Sequence, residues 1–394
     1  MLNKSFYITI LLILLALAVY SNSYKGEGKD WNYFVVLADA FLHDRLHIVG
    51  DMPWLNELAK FQGKNYVVFP PMPAFILVPF VFLFGVSFPQ PYLSILLGSI
   101  SVGLCFLALS KKFNKQVALW SSVLFGFGTI HWYHTEVGSA WYIAHIVGIF
   151  FIWLSVLETL GKGRLFLVGI FVGAAYLCRI PMALAVLFPL IYFLTNLISF
   201  AGKKIKIDFK SLFLLGLGIL PAIALNGLYN YVRFGVPYDI SYTLLPIFDE
   251  PWYKYGFVSI KYIPIHLKEM LLGLPVFSGI PPYVYPNLFA MSIFLITPAF
   301  FLIFRAKFKE RIVLAALVSV VAIMIPELMH GGNGFTQFGY RHTLDVLPFM
   351  IILVASGMRE KVSLFTKALV VLSILINLWG VVMISHLNLW KMVV

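Results

Sequence analysis

Residues 26–85 read GEGKDWNYFVVLADAFLHDRLHIVGDMPWLNELAKFQGKNYVVFPPMPAFILVPFVFLFG, a polar, aromatic-rich stretch that ends in a proline-punctuated apolar run. The stretch follows the first apolar span of the chain, and most of the later breaks between apolar runs are short. Its acidic residues are Glu27, Asp30, Asp39, Asp44, Asp51 and Glu57. This is therefore the part of the sequence where polar side chains can form a water-facing site at the membrane surface.

The composition is that of a membrane protein. Hydrophobic residues make up 61% of the 394-residue chain and charged residues only 12%, which is far from the composition of soluble proteins. A membrane-spanning helix needs about 20 mostly apolar residues, and the sequence supplies many such runs. We therefore predict an all-α integral membrane protein. The net charge of +12 is spread over short breaks between apolar runs, which suits orientation in a bilayer and argues against a nucleic-acid partner.

The apolar runs that are long enough to cross a membrane predict about eleven crossings. These runs are residues 5–21, 92–110, 117–133, 142–158, 165–178, 181–200, 211–231, 286–304, 312–329, 343–358 and 362–384. The first run resembles a signal peptide but lacks a small-residue cleavage site, so we interpret it as an uncleaved first span.

The basic residues predict which side of the membrane each loop faces. They cluster in the breaks at 111–115, 161–164, 203–210, 305–311 and 359–361. Cytoplasmic loops collect lysine and arginine, so we predict that these breaks and the N-terminus lie in the cytoplasm, and that any active site is extracytoplasmic.

Whether the proline-rich run at 71–88 crosses the membrane determines on which side every later loop lies. All basic clusters stay on one side only if this run does not cross, so we predict a re-entrant or surface-lying helix there. The alternative is one extra span with an N-terminus outside. We treat residues 1–394 as a single membrane domain, in which 1–231, including the first outer loop 22–91, form the core. Residues 232–394 supply a long outer loop and the C-terminal helices.

Two acids of the first outer loop are candidates for chemistry. Asp30 precedes and Asp39 lies within DWNYFVVLADAFLHDRL, whose apolar residues recur at the spacing of an amphipathic helix at a membrane surface. Nine residues apart on a helix, the two carboxylates lie about 13 Å apart and point to opposite sides. The structural alternatives are that Asp30 caps the helix and that Asp39 is an exposed acid paired with His43.

A second polar cluster lies in HWYHTEVGSAWYIAH, where the imidazoles and the carboxylate could bind a metal. Its residues are His131, His134, Glu136 and His145. Their spacing matches no defined metal motif, and His and Trp at a bilayer boundary are commonly interfacial anchors. Glu136 is a secondary acid candidate and His134 a candidate for donor binding.

Cations of the outer loops could hold a phosphate, since the planar fork of arginine offers two parallel donors. The candidates are Lys64, Arg179, Arg233 and Arg341. At helix ends such residues also snorkel to the interface without any function. The glycines in HGGNGFTQFGYRHTLD suggest a close approach of the backbone around Arg341.

The order of these features resembles the GT-C glycosyltransferases, in particular the group of protein O-mannosyltransferases and lipid A aminoarabinose transferases. That group has a first span, then an outer loop that opens on an acid before a helix, then a PP-containing segment with a following L-F-G. The corresponding segments here are KDWNYFVVLADAFLHDRL and GKNYVVFPPMPAFILVPFVFLFG, and HTEVGSAW corresponds to a later polar motif. Two further segments, NYVRFGVPYDISY and GYRHTLDVLPF, are similar to the looser C-terminal half of prokaryotic members.

The resemblance implies an inverting transfer of a sugar, hexose or pentose and mannose-like, from a polyprenyl-phosphate carrier to a protein, lipid or glycan acceptor. It implies that Asp30 is the general base, that no metal is obligatory, and that Lys64 corresponds loosely to the family's lysine before PP. Since a phosphate leaving group needs cations to hold its developing charge, we expect Arg341, Lys64 and Arg233 to bind the carrier phosphate. The family often has Glu beside its acid, where this chain has Trp31, and its second motif carries Asp, where Glu136 is the nearest acid.

Two other functions stay open on the sequence. A transporter or lipid flippase would also be polytopic, although no pair of matching half-repeats is visible. A metal-dependent outer-face transferase or hydrolase could be built on the histidine cluster, with a divalent cation as its cofactor.

Overall fold

The computed structural model describes residues 4–26, 31–50, 52–201, 204–245, 250–334 and 336–389 of the chain, with backbone alone at 198–201 and 204–206. Within these ranges helices dominate the secondary structure and the strands form only short hairpins.

Seven helical segments of the described residues are long and apolar enough to cross a membrane. Five are single α-helices: α1 (Lys4–Ser23), α4 (Pro91–Leu109), α7 (Ala140–Leu160), α11 (Phe209–Phe234) and α14 (Arg311–Met329). The sixth starts as a 3₁₀ helix (Arg341–Val346) and continues as α15 (Leu347–Met358), and the seventh is α16 (Leu364–Val381), which ends in a π-helical turn (Val382–His386). The chain is thus a multi-pass membrane protein, as predicted.

The remaining helices are shorter. They are α2 (Tyr33–Leu42), α3 (Met72–Phe84), α5 (Lys115–Phe127), α6 (His131–Val137), α8 (Leu165–Tyr176), α9 (Leu187–Tyr192), α10 (Leu194–Leu197), α12 (Ile263–Leu272) and α13 (Ile293–Ile296). The longer 3₁₀ segments among them are Ile180–Val186 and Pro298–Arg305.

Four of the predicted crossings are broken or short in the structure, so the count of about eleven is not confirmed. The run 117–133 divides at Gly128 into α5 and α6, and the run 165–178 forms only the 12 residues of α8. The run 181–200 begins within the 3₁₀ segment Ile180–Val186, and the run 286–304 contains the 3₁₀ segment Pro298–Arg305. Each segment has a proline at its start, and proline has no backbone N–H to donate to the hydrogen bonds of a regular α-helix.

Three two-stranded antiparallel hairpins complete the fold of the described residues. They are β1 (Leu58–Phe61) with β2 (Lys64–Val67), β3 (Ile198–Ala201) with β4 (Lys204–Ile207), and β5 (Val276–Phe277) with β6 (Val284–Tyr285). In the first hairpin Leu58 pairs with Val67 at the open end and Phe61 with Lys64 at the turn.

The segment 341–358 and helices α4 and α7 are the most buried spans and form the centre of the bundle. Helices α1 and α11 expose most of their surface and lie at its edge. Helix α11 packs against α8 where Gly169 faces Gly218, and a Cβ on Gly218 would stand 2.2 Å from the carbonyl oxygen of Phe166. Small residues allow this close helix contact, as is common in membrane bundles.

Residues 31–50 and 52–84 form a separate layer over one end of the bundle, which we call the first-loop layer. It contains α2, the first hairpin and α3, and its apolar side chains form one hydrophobic core together with bundle residues such as Leu93 of α4 and Ile143 and Val147 of α7. Helix α2 is buried on nearly all sides, so the prediction of an amphipathic helix at the membrane surface is wrong: α3 and the hairpin cover the face that was expected to meet lipid. Helix α3 has 13 residues, fewer than a span needs, and its depth in the membrane stays a prediction.

Candidate functional site

An acid, an indole and a guanidinium meet where the first-loop layer rests on the bundle. Glu57 directly precedes β1, Trp141 lies in the first turn of α7, and Arg341 opens the 3₁₀ helix of the sixth span. The Trp141 Nε1–H donates to Glu57 Oε2 at 2.7 Å, and the Arg341 guanidinium lies 5.1 Å from the centre of the Trp141 ring. All three side chains are half-buried, so solvent or a ligand can reach them.

The charge state of Glu57 is set by opposing effects. Desolvation raises the pKa of its carboxyl above the ordinary value, while the Trp141 hydrogen bond and the positive charge of Arg341 act in the opposite direction. A carboxyl with a raised pKa, held beside a cation, is the kind of group that is found at functional sites.

Aromatic side chains surround Glu57. The backbone N–H of Glu57 donates to the Tyr33 hydroxyl at 2.8 Å, and the Trp31 ring lies 6.0 Å from that of Trp141. Desolvation and then the Glu57 charge raise the pKa of Tyr253 to about 12 and that of Tyr242 above its usual range. The half-buried acid therefore lies among aromatic side chains, whose ring faces offer surfaces against which an apolar ligand face can pack.

A buried ion network beneath this surface fixes the 3₁₀ helix that carries Arg341. Arg179 Nε donates to Asp345 Oδ2 at 2.7 Å, and its Nη2 donates to Glu327 Oε1 at 2.8 Å. His145 Nδ1 lies 2.5 Å from Asp345 Oδ1, and His342 makes a short contact with Glu327. Both carboxylates are almost fully buried, and a network of this kind is stable only while each charge keeps its partner.

Asp30, the predicted general base, lies outside the described residues. Its neighbour Trp31 belongs to the aromatic surround of Glu57. The other acid of the predicted helix, Asp39, lies 3.6 Å from His43 and 3.8 Å from Arg45. The pairing with His43 is the structural alternative that the helical spacing suggested, although Asp39 itself is half-buried.

Two of the predicted phosphate-binding cations do not join Arg341. Lys64 is exposed at the turn of the first hairpin, and three strand residues, about 10 Å, separate the turn from the end where Glu57 enters. Arg233 is 4% exposed and donates to Tyr229 O, Val67 O and Asn230 Oδ1. Its guanidinium therefore attaches the first-loop layer to α11.

The histidines of the predicted cluster each contact a different partner. His131 contacts the Gly98 carbonyl, His134 contacts the Ile130 carbonyl, and His145 belongs to the ion network. Glu136 is fully buried and accepts from Ser385 Oγ at 2.5 Å. In the part of the chain that the structure describes, no three His, Cys, Asp or Glu side chains are placed to hold a metal ion.

The sequence analysis did not single out Glu57 or Trp141. Residues 57, 141 and 341 are brought together only by tertiary packing, so no spacing rule along the chain connects them. The available signals were the acid-rich stretch 26–85, in which Glu57 is the last acid, and the tryptophan of HTEVGSAW.

Comparison with known proteins shows similarity at the level of structure. The sequence matches no protein-family model and no curated protein. Among solved structures, the apo form of ArnT from Cupriavidus metallidurans matches with a TM-score of 0.57 and 16% identity, over 91% of this chain. The same protein bound to undecaprenyl phosphate matches with a TM-score of 0.53 and 15% identity. The archaeal oligosaccharyltransferase AglB from Archaeoglobus fulgidus, in complex with an inhibitory peptide and a dolichol-phosphate, matches over 97% of this chain with a TM-score of 0.53 and 12% identity.

These likenesses confirm the predicted fold class, a GT-C-like bundle of membrane helices. This chain spans 61% of ArnT and 56% of AglB, so it corresponds to less than two thirds of either protein.

Proposed function

We propose that the chain is a membrane glycosyltransferase that takes its sugar from a polyprenyl-phosphate carrier. The observation that carries the proposal is that Trp141 donates to the acid Glu57 while the Arg341 guanidinium lies against its ring, among aromatic side chains at one end of a membrane bundle. Two solved proteins of the same fold have undecaprenyl phosphate or dolichol-phosphate bound, which supports a lipid-linked donor.

The chemistry needs two charges of opposite sign. A phosphate leaving group needs a cation that stabilises the negative charge developing on it, and Arg341 supplies that cation. The acceptor must lose a proton to a carboxylate as the new glycosidic bond forms. Asp30 takes this role in the proposal, on the resemblance of its segment to the family, and attack from the face opposite the phosphate inverts the sugar.

Glu57 supplies a second carboxylate in this proposal. Its half-buried position, with Arg341 against the same indole, lets Glu57 accept a hydrogen bond from the acceptor or the sugar, while Trp141 keeps the carboxylate oriented. The family's second acid is adjacent to the first in sequence, whereas here the chain would provide it from the hairpin. The site lies at the end of the bundle away from the basic clusters, which agrees with an extracytoplasmic reaction.

The test is the release of free carrier from a panel of polyprenyl-phosphate-linked hexoses and pentoses, beginning with mannose, by purified protein in liposomes that also contain peptide, lipid and glycan acceptors to receive the sugar. We expect Asp30→Asn to abolish release and Glu57→Gln to lower it 10–100-fold, the equivalent of about 1.5–3 kcal/mol for a hydrogen bond to a charged group. Asp39→Asn is the matched control, since Asp39 is paired on the surface. Wild-type release in both Asp30→Asn and Glu57→Gln would contradict the proposal.

A further inference from the structure

A cavity of about 390 Å³ opens at the other end of the bundle. It is lined by Lys112, Tyr192, Phe193, Asn196, Arg311 and Ile312. Arg311 is the first residue of α14 and Met329 is the last, so 18 helical rises, about 27 Å, separate the cavity from the ion network's end of that helix. The cavity is therefore about one membrane thickness away from the site of Glu57 and Arg341.

The two cations of this cavity keep their charge available. Lys112 Nζ lies 5.3 Å from the centre of the Tyr192 ring, and Arg311 Nη1 donates to the neutral Thr195 hydroxyl. No carboxylate in the described ranges lies within 4 Å of either cation, and the neighbouring acid, Glu310, is 3.3 Å from Lys307. An anion that enters the cavity would meet two positive charges with no acid to displace.

The walls of the cavity are both polar and apolar. Asn196 is exposed at the rim and can donate its side-chain amide, whereas Phe193 and the buried Ile312 form an apolar surface beside the cations. The next residue, Leu194, is 48% exposed. A ligand that fits has a phosphate at one end and hydrocarbon at the other.

We propose that this cavity binds the phosphate headgroup of an anionic membrane lipid, with Lys112 and Arg311 on the phosphate and the acyl chains running past Phe193 and Leu194. Basic pockets between membrane helices recognise such headgroups, and arginine pairs with phosphate through two parallel donors. The basic clusters at 111–115 and 305–311 belong to this end of the bundle, where positively charged loops meet the anionic leaflet. The site is distinct from the proposed transferase site and does not depend on it.

The test uses the full-length protein, delipidated in a mild detergent. Native mass spectrometry would measure binding of phosphatidylglycerol and of phosphatidylcholine with the same acyl chains, and thermal unfolding would measure protection by each lipid. We expect phosphatidylglycerol to bind and protect, and Lys112→Gln or Arg311→Gln to weaken its binding about fivefold each. The matched controls are Lys111→Gln and Arg359→Gln, exposed cations of the same end that do not line the cavity.

A third arm adds inorganic phosphate in place of lipid. Protection by inorganic phosphate without protection by phosphatidylglycerol would overturn the lipid assignment in favour of a soluble anion. Equal binding of both lipids, or equal loss in the cavity variants and the controls, would overturn the site. Because all four substitutions are at exposed positions, we expect each variant to elute from size exclusion as the unchanged protein does.

Discussion

Replacing Arg341 by glutamine tests the electrostatic part of the proposed mechanism. A unit charge about 4 Å from a phosphate oxygen contributes about 4 kcal/mol at an effective dielectric constant near 20. Arg341 is half-buried, so solvent screens part of this interaction, and we reduce the figure to about 2–3 kcal/mol. Arg341→Gln should therefore lower kcat for release of the free carrier about 30–150-fold.

The assay is single-turnover release of the carrier from a polyprenyl-phosphate-linked sugar in liposomes, which separates chemistry from substrate binding. Arg341→Lys keeps the charge and loses the bidentate fork, so it should recover only part of the rate. Arg359→Gln removes an exposed arginine at the far end of the same span and should leave kcat unchanged. The reasoning is refuted if Arg341→Gln releases the carrier at the rate of Arg359→Gln.

Three further predictions concern pH dependence and stability. Trp141→Phe removes a hydrogen bond that lowers the pKa of Glu57, so the contribution of Glu57 to the acidic limb of kcat/KM should move to higher pH, because Glu57 is ionised only above its pKa. Arg179→Met leaves two buried carboxylates without their cation and should lower the free energy of unfolding by about 3–5 kcal/mol, measured by denaturant titration in detergent. Gly218→Ala forces α11 away from α8 and should cost about 1–3 kcal/mol in the same titration.

Each of these has a control in the chain. Glu57→Gln should remove the contribution of Glu57 to the acidic limb, so Trp141→Phe should no longer shift the part of the limb that remains. A shift that persists in the Glu57→Gln background would exclude Glu57 as its source. Arg164→Gln breaks an exposed ion pair with Glu158 and should change stability by less than about 1 kcal/mol. Gly216→Ala lies on the same helix with nothing within 4 Å of its Cβ, so a loss equal to that of Gly218→Ala would contradict the packing argument.

Composition and apolar length predicted the fold class because a bilayer leaves a chain few other ways to satisfy its backbone. The same length rule could not tell a continuous helix from a broken one of equal hydropathy. The run 117–133 divides at Gly128, and the run 286–304 contains the 3₁₀ segment Pro298–Arg305, and both depend on local backbone geometry and packing.

Only part of the candidate site could be predicted from the sequence. Arg341 stood out because glycines surround it, and it does reach the proposed site. Arg233 and Lys64 are also cations, but the Arg233 guanidinium is hydrogen-bonded to backbone carbonyls and Lys64 lies at the turn of the first hairpin. Glu57 was not selected because its partners, Trp141 and Arg341, are contributed by distant helices, and a pairwise contact of this kind has no signature in local spacing.

Arg341 and Glu57, the cation and the second carboxylate of the proposed site, are held in place by different parts of the structure. Arg341 is tied to the bundle by the Arg179 network, whereas Glu57 belongs to the first-loop layer, which is held to the bundle by a shared hydrophobic core and by the Arg233 hydrogen bond to Val67 O. Treatments that weaken the packing of this layer on the bundle, such as a harsh detergent, should separate Glu57 from Arg341 while the membrane helices stay folded. Loss of turnover would then precede any change in helicity, and turnover would return once the layer packs on the bundle again.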